Sequence, residues 1–356
     1  MGKKQKQARI LRRNLLGVLV FVAALPVLWP MGGAVFALQE ILPGQVPEVQ
    51  LPQSETVAAV SEPDTAQQKK EKGLLGMEDI TFEQQKEDVA DVKIAEQELH
   101  NIQNFEYLKK NYYVVDSRTV FLPEDIDTQK ALAKDFTIDK ESKEPQVLIF
   151  HTHASEAFAD SDMSKGLDEG IWGVGEYLKE ILETKYGISV LHHDGVYDVV
   201  NGKGQITGAY ERMEPPIRQI LEENPSIKVC IDMHRDGVAE GTKLVTNVNG
   251  KDCAQVMFFN GLCRLNQDGR PIPAPGLSNP YIEDNLAFSL QMQMQANARF
   301  PNFARRIYLN AYRFSLHMKP RSTLIEVGAQ TNTKQEARNA MEPLAEVLAA
   351  VLLGDT

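Results

Sequence analysis

The chain has 356 residues, of which 43% are hydrophobic and 24% are charged, a composition typical of a folded globular protein. Its formal net charge of -11 argues against a nucleic-acid partner, since such proteins concentrate lysine and arginine on one face. Three cysteines are an odd count, which excludes a disulfide framework as the main source of stability. We expect Cys230, Cys253 and Cys263 to be small buried apolar residues.

The first predicted element is a membrane anchor. Residues 1–14 include six basic residues and no acidic one, and residues 15–38 carry no charge. At about 1.5 Å per residue the second segment can cross the roughly 30 Å hydrocarbon core, and its basic flank favours a cytoplasmic start. We therefore predict a single-pass cell-membrane protein whose remainder lies outside the cytoplasm. The alternative is a cleaved signal peptide that ends near Ala37.

Residues 39–103 are predicted to be a disordered or weakly helical linker. The part from 39 to 72 contains four prolines and no aromatic residue, so it buries too little apolar surface to offset the entropy of ordering. The part from 73 to 103 has helix-favouring residues with weak apolar periodicity. We expect this linker to separate the anchor from a folded domain.

Residues 104–356 are predicted to form one α/β domain with a single, mostly parallel sheet flanked by helices. Near-continuous apolar runs alternate with helical stripes, which is typical of parallel strands covered on both faces. Thr333 and Glu336 predict a capping box at the start of the last helix. The predicted strands are 146–150, 188–192, 227–232, 242–247, 255–259 and 322–327, and the predicted helical stripes include 174–182, 286–298 and 337–351.

Polar residues follow or end three of these strands. His153 and Glu156 follow the first, His234 follows a second, and Glu326 lies near the end of the last. Because the carboxyl ends of neighbouring parallel strands meet at one edge of a sheet, these side chains converge if the strands are neighbours. Two imidazoles and a carboxylate suit Zn²⁺ and leave one coordination position for water. We therefore predict the first three as zinc ligands and Glu326 as the group that shuttles a proton.

Four further residues are predicted to surround these ligands. In an extended segment His151 points to the same side as the first ligand histidine, so it is a rival ligand; we favour a role in orienting a ligand through a hydrogen bond. Asp232 and Asp236 flank the other ligand histidine and are candidates for hydrogen bonds to it or to substrate. Arg235 is expected either to contact a substrate carboxylate or to pair with an acid.

Three stretches of sequence carry a resemblance to a known family. They read VLIFHTHASEAF, NPSIKVCIDMHRDG and RSTLIEVGAQTNTKQEARNA. Over residues 104–356 and the N-terminal anchor, the chain resembles the stage II sporulation protein P family of endospore-forming Firmicutes. The family motifs HTHxxE, DxHRD and EVG match, in chain order, His151, His153, Glu156, Asp232, His234, Arg235, Asp236 and Glu326.

The resemblance implies an activity, a cofactor and partners. The activity is that of a zinc-dependent N-acetylmuramoyl-L-alanine amidase, which cuts the amide between muramic acid and the stem peptide of peptidoglycan. The setting is septal wall remodelling and engulfment in sporulation, in a membrane complex with the stage II sporulation proteins D and M. Some members of the family are also credited with endopeptidase activity.

Three alternatives remain open from the sequence. In the wider amidase superfamily the zinc-binding glutamate comes from a helix after the first histidine, which here suggests Glu176 in place of Glu156. The activity is alternatively that of a zinc endopeptidase on stem peptides, because HxxE followed by a later histidine and glutamate is also a peptidase arrangement. The third alternative is a wall-binding scaffold without catalysis.

Overall fold

The fold is described from a computed structural model, which covers residue 89 and residues 92–354. The predicted membrane segment at 15–38 and most of the predicted linker lie outside these described residues. Within them, none of the helices combines the length and hydrophobicity that a membrane span needs.

Helices and strands alternate along most of the described chain. The helices are α1 (Glu96–Asn101), α2 (Phe105–Tyr112), α3 (Thr128–Leu132), α4 (Ile171–Thr184), α5 (Ala209–Glu223), α6 (Ile282–Arg299), α7 (Lys334–Asn339) and α8 (Met341–Leu353). The strands are β1 (Tyr113–Val115), β2 (Val147–Phe150), β3 (Val190–His192), β4 (Val199–Val200), β5 (Lys203–Gly204), β6 (Val229–Asp236), β7 (Val245–Val248), β8 (Lys251–Ala254), β9 (Val256–Gly261), β10 (Arg264–Gln267), β11 (Arg270–Pro273), β12 (Ala304–Asn310) and β13 (Ser322–Ala329).

Seven of the strands form one central sheet in the order β1-β12-β9-β13-β6-β2-β3. All neighbours in it pair in parallel except β9 and β13, which are antiparallel. The remaining strands form three short antiparallel hairpins, β4-β5, β7-β8 and β10-β11. The predicted α/β fold with a single, mostly parallel sheet is confirmed.

Alternate residues of the central strands supply a large hydrophobic core on one face of the sheet and, on the other face, a smaller core beside a further cluster around Phe259. On β2, Val147 and Ile149 pack into the larger core with apolar residues of α4, α6 and α8. Leu148 and Phe150 pack into the smaller core with the apolar side of α5. All four residues are at most 1% exposed, which explains why this strand reads as a continuous apolar run.

The predicted strands correspond to observed ones. Five of the six lie in the central sheet as β2, β3, β6, β9 and β13, while the segment at 242–247 overlaps the hairpin strand β7. The predicted cap is present, but it begins the short helix α7, which ends at Asn339, and the last helix is the separate α8. Thr333 accepts a hydrogen bond from the backbone N–H of Glu336, whose side chain accepts one from the N–H of Thr333. The three cysteines are free and buried, as expected.

The segment before residue 104 also contributes to the packed domain. Ile102, just after α1, is 1% exposed. The carboxylate of Glu98 accepts hydrogen bonds from the hydroxyls of Tyr107, at 2.9 Å, and Tyr112, at 2.6 Å. These contacts fasten α1 to α2, so part of the predicted linker is helical and packed.

Candidate metal centre and active site

The three strands that carry the predicted site residues are neighbours in the sheet. Strand β6 lies between β2 and β13 and is parallel to both. In register, Phe150 lies beside Asp232 and His234 lies beside Glu326. The convergence expected from the sequence is therefore present, because the carboxyl ends of β2, β6 and β13 meet at one edge.

Three of the converging side chains are spaced as ligands of one metal ion. The donor atoms of His153, Glu156 and His234 lie within 4.8 Å of one another. Oε1 of Glu156 is 3.4 Å from Nδ1 of His153 and 3.6 Å from Nδ1 of His234. Two ligands bound to zinc at about 2.0–2.2 Å in tetrahedral geometry are about 3.4 Å apart. The donor set and its spacing therefore fit zinc.

Asp232 holds the second ligand histidine. Its Oδ1 is 2.8 Å from Nε2 of His234, so it accepts the proton on that nitrogen and leaves Nδ1 to face Glu156. Thr152 donates to the same carboxylate from its backbone N–H, at 2.9 Å, and its hydroxyl, at 2.7 Å. A carboxylate behind a ligand histidine is the arrangement that usually fixes the ring and its tautomer at zinc sites. The predicted role of Asp232 agrees with this geometry.

The turn that carries Glu156 is anchored from two sides. The backbone N–H of Arg235 donates to Oε2 of Glu156 at 2.8 Å, which leaves Oε1 for the histidines. Both the N–H, at 3.1 Å, and the hydroxyl of Ser155 donate to Oδ2 of Asp198, which is 2% exposed. The guanidinium of Arg235 donates to the carbonyls of Ala157 and Asp236 at 3.0 and 3.3 Å. Neither expected partner of that arginine, an acid or a substrate, is therefore needed to hold it.

Electrostatics at the two central ligands favour an ion pair. Burial opposes both charged forms, but Asp232 and Glu156 raise the pKa of His234 well above its usual value. His234 and His153 in turn lower the pKa of Glu156, despite the cost of burial. A cation bound here must therefore displace a proton from His234.

Glu326 differs from the other carboxylates because its Oε2 is buried without a hydrogen-bond partner among the described residues. Burial raises the pKa of Glu326 to about 8; the charge of His234 opposes this shift, and the charges of Asp236 and Glu156 add to it. Asp236 is itself bound by Nη1 of Arg305 at 2.9 Å. Glu326 is thus a carboxyl group beside the ligands that is free to exchange a proton.

His151 does not lie beside the ligands, which corrects the sequence-based expectation. The strand ends at Phe150, and His151 faces α4 on the other side of the sheet, where it approaches Gly175. Its Nδ1 is 2.8 Å from the carbonyl of Met233, and its Nε2 is 2.8 Å from Nε2 of His192. The extended geometry assumed from the sequence fails because residues 152–155 form a turn.

Glu176, the alternative zinc ligand, lies in the same cluster on the far side of the sheet. Its Oε2 is 2.7 Å from Nδ1 of His192, whose other nitrogen contacts His151. It belongs to no group of potential ligands among the described residues, whereas Glu156 does. The geometry therefore favours Glu156 over Glu176.

A cleft of about 510 Å³ opens next to the candidate ligands. It extends along the face of the sheet that α5 covers, from Glu326 to Tyr308 and Asn310. The ring of Tyr210, at the start of α5, contacts His153 with centroids 5.7 Å apart. Arg118 lines the cleft as well. The cleft gives a ligand access to the candidate metal-binding residues.

Sequence reasoning did not find Asp198, Tyr210 or Arg305. Asp198 and Tyr210 lie in segments without a strand or metal-binding pattern, so no signal marks them. Arg305 precedes the apolar half of β12, a strand that was not predicted. A pair of arginines directly before Ile307 to Leu309 is the one feature that marks this strand in the sequence.

Comparison with known proteins places the chain in a family. Similar solved structures include the N-acetylmuramoyl-L-alanine amidase AmiC2 of Nostoc punctiforme, at 15% identity over 61% of this chain and 97% of that one with a TM-score of 0.34. A second is the N-acetylmuramoyl-L-alanine amidase from Clostridium difficile 630, at 14% identity over 59% and 95% with a TM-score of 0.35. A third is the CwlD amidase from Clostridioides difficile in complex with the GerS lipoprotein, at 13% identity over 59% and 95% with a TM-score of 0.33.

Likenesses this low say nothing about activity, and no curated protein matches the chain. The family described as Stage II sporulation protein P (SpoIIP) matches residues 38–349, which is most of the sequence. The chain therefore belongs to the stage II sporulation protein P family.

Proposed function

We propose that the protein is a zinc-dependent peptidoglycan hydrolase that cleaves the amide between N-acetylmuramic acid and L-alanine. The observation that carries the proposal is the spacing of three donor atoms, on His153, Glu156 and His234, all within 4.8 Å. Membership of a sporulation family agrees with a substrate in the cell wall. The cleft beside the ligands offers a route by which a substrate reaches them.

The residues of the site divide the chemistry between binding and proton transfer. His153, Glu156 and His234 would hold the ion, and Asp232 keeps the His234 ring in the orientation that exposes Nδ1. When bound, zinc supplies Lewis-acid polarisation of the scissile carbonyl and makes water acidic enough to attack at neutral pH. An amide nitrogen is a poor leaving group, so a proton must reach it during cleavage.

Glu326 is the residue suited to that proton transfer. It lies beside His234 in register, and its buried Oε2 has no hydrogen-bond partner in the described part of the chain. Burial raises its pKa to about 8, and a nearby cation would bring that pKa back down toward the working pH of a general base. Glu326 accepts a proton from the attacking water and donates it to the departing nitrogen of L-alanine.

Two measurements on the purified full-length chain test the proposal. Digestion of purified peptidoglycan should release peptides with a new N-terminal L-alanine, identified by mass spectrometry. Metal analysis should find one zinc per chain, and His153→Ala should lose it. Glu326→Gln should retain zinc and lose activity by at least about a hundredfold, the scale of general acid–base catalysis. A Glu326→Gln enzyme of near wild-type rate would remove this residue from the mechanism.

The same experiments separate the alternatives. New amino ends inside the stem peptide, with the muramoyl amide intact, would identify a zinc endopeptidase. A protein that binds the cell wall but does not bind zinc and does not cut peptidoglycan would be a scaffold.

The proposal extends to location and partners. The uncharged segment at 15–38 with its basic flank supports a single-pass anchor and an extracytoplasmic catalytic domain in the septal space. Family membership supports a complex with the stage II sporulation proteins D and M. Protease accessibility in intact cells and co-purification of the three proteins test these two points.

A further inference from the structure

We propose that Arg118 is a specificity-determining residue that binds a carboxylate of the stem peptide, three or four residues from the cleaved amide. The inference rests on the proposed function and adds a substrate feature to it. Arg118 lines the same cleft as the candidate zinc ligands but lies at its other end, next to Tyr308 and Asn310.

The guanidinium of Arg118 is held rigidly by a neighbouring carboxylate. Its Nε donates to Oδ1 of Asp116 at 2.8 Å and its Nη2 donates to Oδ2 at 2.9 Å. The backbone N–H of Arg118 donates to the same Oδ1 at 2.8 Å, and the hydroxyl of Tyr308 donates to Oδ2 at 2.6 Å. The backbone carbonyl of Arg118 accepts from the N–H of Asn266 at 2.7 Å. Both the backbone and the side chain are therefore fixed before any ligand arrives.

The carboxylate of Asp116 is fully hydrogen-bonded in this arrangement, whereas the guanidinium of Arg118 keeps donors available for a ligand. Four donors already occupy the two oxygens of Asp116, whose side chain is 9% exposed. The side chain of Arg118 is 37% exposed, and its Nη1 donates to no described residue. One edge of a fixed, planar guanidinium thus faces solvent in the cleft, which is the geometry that binds a carboxylate at low entropic cost.

An aromatic ring supports the guanidinium from one side. The ring of Tyr312 lies 5.2 Å from the central carbon of Arg118 and is 38% exposed. Such stacking further restricts the arginine and leaves the free edge as its route to a ligand.

The strand register gives the backbone distance from Tyr308 to Glu326, which sets the scale of the span between Arg118 and the reacting groups. Tyr308 hydrogen-bonds to Asp116, as Arg118 does, and lies on β12, two strands away from β13. On the strand between them, Phe259 pairs with both Tyr308 and Leu324. Leu324 is two residues before Glu326 on β13. Two strand spacings of about 4.8 Å and two residues of about 3.3 Å together give roughly 12 Å. An extended peptide covers this distance in three to four residues at about 3.3–3.6 Å each.

Stem peptides of peptidoglycan carry carboxylates that are free in some walls and amidated in others. A guanidinium edge discriminates between the two, since an amide offers a neutral acceptor and a poorly placed donor. Arg118 would therefore favour stem peptides whose distal carboxylate is free.

The test compares two substrates with the full-length, zinc-loaded enzyme. They share the same disaccharide and stem peptide and differ only in whether the carboxylate three or four residues from the cleaved amide is free or amidated. The wild-type enzyme should cleave the free form with a kcat/KM about ten- to a hundredfold higher, mainly through KM, as expected for a lost charge-assisted hydrogen bond. Arg118→Gln should lose that preference and cleave both forms at the wild-type rate for the amidated one.

Controls keep the result specific. Arg270→Gln alters an exposed arginine of the β10-β11 hairpin outside the cleft and should retain the preference. Arg118→Lys keeps the positive charge but loses the planar pair of N–H donors, so it should retain only part of the preference for the free carboxylate. Equal cleavage of both forms by the wild-type enzyme, or an equal loss on both forms in Arg118→Gln, would overturn the inference and leave the proposed function standing. A wild-type enzyme that cleaves neither form would instead overturn the proposed function.

Discussion

Asp232→Asn is the sharpest probe of how the candidate metal centre is held together. The asparagine oxygen can take the place of Oδ1, where it accepts from the N–H of Thr152 and from His234, and its NH₂ can donate to the Thr152 hydroxyl after that hydroxyl rotates. The shape and the hydrogen-bond count are conserved. Only the negative charge behind His234 is lost.

Loss of that charge should lower the affinity for zinc and leave the stability of the fold largely unchanged. Carboxylates behind ligand histidines typically contribute 10- to 100-fold to metal affinity, or about 1.4–2.7 kcal/mol. Loss of the charge also lowers the pKa of His234, which reduces competition by protons and works in the opposite direction at low pH. We therefore expect the full decrease in zinc affinity at alkaline pH and a smaller one under acidic conditions.

Competition with a chromogenic chelator over a series of pH values measures both effects. Asp268→Asn, an exposed change on the turn between β10 and β11, is the matched control and should bind zinc like the wild type. If Asp232→Asn binds zinc within about twofold of the wild type throughout the series, the carboxylate does not support His234 as a ligand.

Three further predictions concern pH, packing and capping. Because the pKa of His234 is raised and zinc must displace its proton, apparent zinc affinity should fall about tenfold for each pH unit below that pKa, as measured by chelator competition; a flat profile would show that His234 does not ligate. Gly175→Ala should lose about 1–3 kcal/mol in urea unfolding, because the new Cβ would meet Nε2 of His151 at 2.7 Å; an unchanged midpoint would contradict this packing. Thr333→Ala should lose about 1 kcal/mol from the α7 cap and bind zinc normally.

The location of the site was predictable because the candidate site residues follow or end buried strands. His153, His234 and Glu326 each follow or end an apolar run, and parallel strands bring such positions together. The order of the strands in the sheet was not predictable, since no local pattern specifies which strands pair. The antiparallel pairing of β9 with β13 is one such nonlocal choice.

Side-chain direction near the strand end was the weakest part of the prediction. In an extended strand His151 and His153 would lie on the same face of the sheet, so only the point at which the strand stops can place them on opposite faces. The turn after Phe150 decides it, and its anchor, Asp198, lies more than forty residues away along the chain. Nothing in the local sequence reports that contact.

Among the elements that were not predicted, α5 and β12 escaped for local reasons. Helix α5 contains Pro215 and Pro216, and prolines normally argue against a helix interior. Its own apolar residues Met213 and Ile217 are nevertheless buried against the sheet. Strand β12 has a bulge between Arg305 and Tyr308, which breaks the two-residue alternation that identifies a strand. Tertiary packing overrides both local signals.

Within the described residues the edge strand β1 pairs only with β12. The hydrogen bond between Tyr308 and Asp116 that accompanies this pairing joins residues 192 positions apart. Closing so long a loop is entropically costly, and the partner strand does not exist until most of the chain has been synthesised. Strands β2, β3 and β6, which all lie before residue 237, can therefore pair first, and this edge is completed only once the segment up to residue 310 is available for folding.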